Sequence, residues 1–432
     1  MPIPFNSIDV GIIKHIFSFL NVKDLCIITQ VSSYWKKIIE QKDTFKIVNL
    51  TVLSDKVNTL NLMKFISKNI EKLYLPLNAS KTDTTYLLMC IPKGLKFLQI
   101  NNINMEFANI FFNLVFEELE TLQMNNVTNR KKLFDDIEIK EFHQSLPNLK
   151  ELFIDSVPLR DSTIKQLFPN PFQSQNLGYE VRFTQNLKKL SLLNCPHLTN
   201  QTLSTIALNF EQLEHLELGG TPTNYNQDFS IEELLVEKFN TKLKEIAIIR
   251  NCFEKTAKIS DEGLKYLKRT KNLERLNITY SRKFREFFHI HIAMNLKNLK
   301  YLCIRECPVQ EDLGILSSGC PNLEELDMSG DSWVTSSCLL GVSKHPNLKI
   351  YHLGHFDHGD SQCDENLQEH PPKGMFLEGV FKDKSNFKKL HLIYLEQSCS
   401  LTYWIDMRLQ SIRPHLTIKY TPQENLFELK EQ

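Results

Sequence analysis

The sequence predicts an α/β fold in two parts. Residues 1–44 form a small cluster of three helices. Residues 45–432 form a solenoid, a horseshoe with a parallel sheet on its concave face and helices on its convex face. Three observations predict this. A leucine phrase, L-x-x-L-x-L, recurs along most of the chain. The segments between phrases place apolar residues at helical spacing behind polar starts. The opening stretch lacks the phrase and reads as short amphipathic helices.

The phrase is clearest in "LKKLSLLNC" (187–195). Neither a strand's period of two nor a helix's period of 3.6 explains it for long. It returns as "NIEKLYL" from Ile70, "GLKFLQI" from Leu95, "ELETLQM" from Leu119 and "NLKELFI" from Leu149. Further copies start at Leu213, Leu243, Leu273, Leu299, Leu323, Leu348 and Phe387, with an earlier member at Phe45 and a truncated one from Leu416. Most starts lie 24–30 residues apart, and the pattern closes on Cys195 and Cys307, with Asn251 as the equivalent position. This is the leucine-rich-repeat signature, about 13 repeats in all. One unit cannot bury its own apolar face, so neighbours must stack.

The covering segments agree. "CPHLTNQTLSTIALNF" sets Leu203, Ile206, Ala207 and Phe210 on one helical face after Asn200. "ISDEGLKYLKRT" sets Leu264 and Leu267 behind Ser260 or Asp261, both good caps. Two gaps between phrases are too long. Residues 168–181 and 354–386 are rich in Pro, Asn, Gly and charge, and are expected to be surface loops.

In residues 1–44, Ile12, Ile13, Ile16, Phe17 and Leu20 share a helical face, with Asp9 placed to cap it. Leu25, Ile28, Val31, Trp35 and Ile38 follow behind Asp24, another candidate cap. So short a segment cannot bury a core of its own, so part of its apolar surface must meet other structure. These residues resemble an F-box. Ile8 stands at the Leu of the family's Leu-Pro pair, "IIKHIFSFL" matches its first helix, Asp24-Leu25 its "DL", and Val31 with Trp35 its "V…W". Asp9 and Gly11 depart from the family's Pro and Glu. The repeats resemble the cysteine-containing type found in F-box proteins.

The resemblance implies a non-catalytic substrate receptor of Skp–cullin–F-box ubiquitin ligases. Ile8, Ile12, Ile13, Ile16, Phe17, Leu20, Leu25, Val31 and Trp35 would then dock a Skp-family adaptor, and through it a cullin–RING scaffold. The repeats would hold an unknown protein target. The alternative is a leucine-rich-repeat scaffold without ligase coupling.

Composition narrows the field. Lys+Arg and Asp+Glu both total 51, which argues against a nucleic-acid partner and gives no reason to expect a membrane one. No apolar run is long enough to span a bilayer, and "MPIPFNSIDVG" reads as lacking a signal peptide, so the expected location is cytoplasmic, nuclear or both. No cysteine has a base beside it in sequence, so no catalytic residue is assigned. His352, His355, Asp357, His358, Asp360 and Cys363 match no zinc spacing, and no metal or cofactor is expected. His289 and His291 read as ordinary surface or packing residues. Period two then picks out the concave-face side chains. Arg250, Arg275, Tyr280, Tyr301 and Arg305, joined by Asp327, are the expected target-binding cluster, because hot spots favour arginine and large aromatics. Cys303 is expected to face outward and Cys307 inward; His352 and His391 close the face.

Overall fold

The structure is a computed structural model. It describes residues 8–20, 22–39, 46–49, 70–76, 91–103, 111, 114–127, 145–157, 159–168, 186–195, 198–219, 242–249, 264–279, 288–305, 307, 313–330, 336–353, 373–396 and 401–421. The chain divides into two units, Met1–Leu213 and Glu214–Gln432.

The first unit opens with three helices, α1 (Val10–Ser18), α2 (Val22–Val31) and α3 (Ser33–Ile39). Strands β1 (Ile47–Asn49), β2 (Lys72–Pro76), β3 (Phe97–Ile103), β4 (Thr121–Val127), β5 (Glu151–Asp155) and β6 (Lys189–Leu193) then pair in chain order, all parallel. Helices α4 (Asp161–Leu167) and α5 (Asn200–Asn209) lie between and after the last of them. The second unit holds β7 (His215–Gly219), β8 (Glu245–Ile249), β9 (Arg275–Ile278), β10 (Tyr301–Cys303), β11 (Glu325–Asp327), β12 (Ile350–Leu353), β13 (Leu392–Glu396) and β14 (Thr417–Thr421). These are again parallel and in chain order. Between them run a 3₁₀ turn (Lys265–Arg269) and helices α6 (Phe288–Asn295), α7 (Ile315–Gly319), α8 (Ser336–Ser343), α9 (Lys373–Lys382) and α10 (Leu401–Ile412). Each unit is thus an α/β leucine-rich-repeat stack, and an N-terminal helical domain precedes the first.

The leucine phrase builds the core directly. In the first unit Leu73, Leu98, Leu122, Leu152 and Leu190 sit opposite one another across successive strands, all buried. In the second unit Leu216, Ile246, Leu276, Leu302, Leu326, Tyr351 and Ile393 form the same column. Each such side chain contributes roughly 1.5–3 kcal/mol by leaving water. No repeat could collect this alone. Tyr351 stands in a leucine's place, and its buried hydroxyl donates to Met328 Sδ at 3.6 Å.

Two polar ladders fix the stacking. The residue leading into each strand offers its carbonyl to two N–H groups of the next repeat. Glu71 and Lys72 both donate to the Lys46 carbonyl, and Lys300 and Tyr301 to that of Glu274. Unlike charges often meet at this position, giving Lys46–Glu71, Lys150–Glu120, Lys244–Glu214, Lys300–Glu274 and Lys349–Glu324 pairs at 2.6–2.9 Å. Such exposed pairs add little stability each, but unlike charges in register disfavour slipped stacking. The Asn of the "N-L" phrase donates backwards. Asn148, Asn186, Asn298, Asn322 and Asn347 each bond a backbone carbonyl of the preceding repeat at 2.7–3.2 Å. On the covering side, α7 closes tightly on α6 because Gly319 has no side chain; a Cβ there would meet the Ala293 carbonyl oxygen at 2.4 Å.

The structure corrects five expectations. Residues 354–386 are not one surface loop: 373–382 form α9, and Val380, Phe381 and Asn386 are buried. The repeat assigned to Phe387 starts three residues later, at Leu390, because Ile350 pairs with Leu392. "NFKKLHL" and "KLHLIYL" fit the phrase equally well, and packing chooses the second. Phe387 is instead a buried wedge at φ 46°, its ring 4.9 Å from Phe381. His391 therefore leads into the strand rather than facing inward with His352. Asp24 does not precede its helix; α2 begins at Val22 and Asp24 sits in its first turn. Cys303 occupies a face position as expected, yet it is buried. Of the 168–181 insertion only Phe168 lies within the described residues, and it is buried.

Candidate functional site

Two places hold the residues singled out by sequence. The first is the helical domain. Asp9 caps α1, accepting from the Gly11 N–H at 2.7 Å. A Cβ on Gly11 would lie 2.8 Å from that carboxylate oxygen, so Asp9 and Gly11 work as one local device.

Helix α1 is apolar on two stripes one residue apart. Ile13 and Phe17 turn inward and are buried, with Phe17 edge-on to Trp35 at 6.1 Å. Ile12 (54% exposed), Ile16 (45%) and Phe19 (77%) form the second stripe, which is exposed. Helix α2 repeats the division: Leu25 is buried, whereas Ile27 (52%) and Val31 (69%) are exposed. Ile8, Leu20 and Trp35 are half-buried. The nine residues read from the sequence therefore separate by burial. Ile13, Phe17 and Leu25 build the domain's interior and hold the helices, while Ile12, Ile16 and Val31 are presented to solvent. Phe19 and Ile27 belong with the presented set and were not singled out. The signal was there in the i, i+4, i+7 spacing from Ile12. Large exposed apolar side chains repeated on short helices mark an interaction surface.

The second place is the strand face of the second unit. Arg275 is exposed and lies over the Tyr301 ring, 4.0 Å from its centre, with its Nε 3.5 Å from Glu245. Glu245 also meets His215 Nδ1 at 2.9 Å. Burial, with Cys303 and the Asp327 and Glu325 carboxylates nearby, pushes the Tyr301 phenol far above its ordinary pKa, so it stays neutral. Burial likewise raises the Cys303 thiol well above its usual value, with Asp327 adding to the effect. Its Sγ lies 3.6 Å from Asp327 Oδ2. Asp327 Oδ1 accepts from the Ser329 N–H at 2.9 Å and hydroxyl at 2.6 Å. One strand further, Glu325 meets His352 at 3.0 Å, and the imidazole stacks on Tyr394 at 4.3 Å. Lys419 approaches the other side of that ring at 5.8 Å. Tyr394 was missed because the repeat phase at Phe387 hid it.

Arg275, Tyr301, Arg305 and Asp327 thus fall on three successive strands or their ends, as the spacing predicts. Arg250 and Tyr280 lie outside the described residues. So does most of the His352–Cys363 cluster. Among the described residues no group of three or more His, Cys, Asp or Glu side chains is placed to hold a metal ion. Cys195, Cys303, Cys307, Cys320 and Cys338 are buried and form no disulfide. Burial pushes Cys195 and Cys320 up to about 12, which makes both unreactive. Cys307 Sγ donates to the Ile278 carbonyl at 3.0 Å, the turn-closing role its place in the repeat suggests. His289 is buried in α6 and His291 half-buried. Among the described residues, no helix is long and apolar enough to cross a membrane.

Comparison with known proteins bears on the first place. The F-box domain family model matches residues 5–46, the span of the three helices, so the chain carries an F-box domain at its N-terminus. Two solved structures are similar at low identity. One is the yeast Rad7 and Elc1 complex, at 18% identity over 93% of this chain and 98% of that one, with a TM-score of 0.43. The other is the TLR13–ssRNA13 complex, at 16% identity over 89% of this chain and 65% of that one, with a TM-score of 0.31.

Proposed function

We propose that the chain is a non-catalytic substrate receptor of a Skp–cullin–F-box ubiquitin ligase. The F-box docks on a Skp-family adaptor, which hangs from a cullin–RING scaffold, and the repeats hold a protein target. The observation that carries this reading is the second apolar stripe. In a helix pair whose first stripe already serves the interior, Ile12, Ile16, Phe19, Ile27 and Val31 have nothing to gain from solvent. They gain from a partner's apolar groove. The repeats then act by position. Tethering raises the local concentration of target lysines beside the ubiquitin-charged enzyme without any chemistry in this chain. The target surface is the strand face of the second unit around Arg275 and Tyr301. The place of work is the cytoplasm, the nucleus or both, which a fluorescent fusion of the whole chain reports.

The test is co-purification of the full chain and of a 1–44 deletion with a recombinant Skp-family adaptor. The full chain retains the adaptor and a cullin added to it, and the deletion retains neither. If the full chain ignores the adaptor, the ligase reading fails and a scaffold without ligase coupling replaces it.

A further inference from the structure

Most of the charged groups described on the strand face of the second unit have a partner on it. His215, Glu245 and Arg275 form a chain that ends on the Tyr301 ring. Glu325 is matched by His352. Both Asp327 oxygens are occupied, one by Ser329 and one by Cys303. Arg305, at the end of β10, has no hydrogen-bond or ion-pair partner for its guanidinium among the described residues. Its Nε is buried and unbonded. A buried N–H that has lost water and found no acceptor is unfavourable, and more so on a cation.

The surroundings do not repair this. Thr279 and Ser329 hold the matching places in the neighbouring repeats, each two residues past the Asn277 and Asp327 that pair with Cys303. Both are buried, and both hydroxyl protons are already given away at 2.6 Å, Thr279 to Asn277 Oδ1 and Ser329 to Asp327 Oδ1. Neither of these small neutral residues offers the guanidinium a carboxylate. The fork of a guanidinium fits the two oxygens of a carboxylate or phosphate.

Resting on the receptor reading above, we propose that Arg305 is the anion-reading position of the target face. It takes one oxyanion of the bound polypeptide, a carboxylate or a phosphate. Arg275, already engaged by Glu245 and Tyr301, shapes the neighbouring surface but does not read the charge.

Three biotinylated degenerate peptide pools test this on the full chain. The pools differ only in one fixed central residue: glutamate, phosphoserine or glutamine. Retention of the glutamate pool, the phosphoserine pool or both should exceed that of the glutamine pool by roughly tenfold, the worth of a charge-assisted bond. Which pool is kept identifies the source of the oxyanion. Arg305→Gln should reduce retention to the glutamine level. Arg305→Lys, which keeps the charge and loses the fork, should fall between. The preference should weaken as salt is raised. Equal retention of all three pools by the unmodified chain, or an unchanged preference in Arg305→Gln, overturns the assignment. Should Arg305→Gln fail to fold, the unmodified chain and Arg305→Lys still decide. Adaptor binding is read on the same preparations. A lost anion preference with intact adaptor binding rejects this inference alone, whereas a retained preference without adaptor binding rejects the ligase reading alone.

Discussion

The F-box helices and the strand face of the second unit solve opposite problems with exposed side chains. On α1 and α2 several large apolar residues, Ile12, Ile16, Ile27 and Val31 among them, are exposed. On the strand face the exposed residues are polar, and nearly all are already paired along the sheet. The first arrangement suits a constant partner, because burying apolar area is favourable and not very choosy. The second suits discrimination. A ladder such as His215–Glu245–Arg275–Tyr301 has little to gain from a generic visitor, so selectivity concentrates where a group is left over, at Arg305.

The largest effect that tests the contrast comes from neighbouring residues of one helix. Phe17→Ala removes a ring buried against Trp35 and should cost about 3–5 kcal/mol of stability, seen as a large fall in Tm. Ile16→Asp, one position away on the exposed stripe, should leave Tm nearly unchanged and abolish adaptor capture. Equal stability losses from the two would mean that α1 has one face and not two.

A smaller effect separates buried from displayed polar groups. His345 lies under the sheet, where Nε2 donates to the Cys320 carbonyl at 2.9 Å and Nδ1 accepts from the Asn347 N–H at 3.3 Å. Its pKa is lowered by burial, against the opposing pull of the Cys320 carbonyl. The unfolded chain therefore binds this proton more readily, and stability falls as pH drops below the ordinary histidine value of about 6.5. The loss levels off once the folded pKa is passed. Thermal melts should show a Tm a few degrees lower at pH 5.5 than at 7.5, and His345→Gln should remove part of that difference. A pH dependence untouched by the substitution would assign it to other groups.

The smallest effect belongs to the ladder itself. Arg275→Ala breaks an exposed ion pair and a cation–ring contact, worth below about 1 kcal/mol together. Tm should hardly move, while the peptide preference assigned to Arg305 should persist. Loss of that preference in Arg275→Ala would shift the reading position one strand back.

What the sequence determined by itself was the periodic part. The leucine phrase could place strands, columns and facing residues because each repeat meets the same constraint, and an error in one repeat is exposed by its neighbours. The matched "IFSFL…DL…V…W" located the F-box for the same reason: spacing alone defines it. Only tertiary structure decided matters that depend on what lies across from a residue. Ile12 and Ile13 are equally greasy and adjacent in sequence, yet one packs inward and the other meets water. Phe387 and Leu390 compete for one position in the phrase, and the pairing of Ile350 with Leu392 chooses between them, which is also what brings Tyr394 beside His352. Arg275 and Arg305 are the same residue at different places in the phrase, Arg275 opposite Tyr301 within the sheet and Arg305 two residues past the end of β10. Whether a cation finds a carboxylate or is left without one is set by distances between strands that no local pattern encodes.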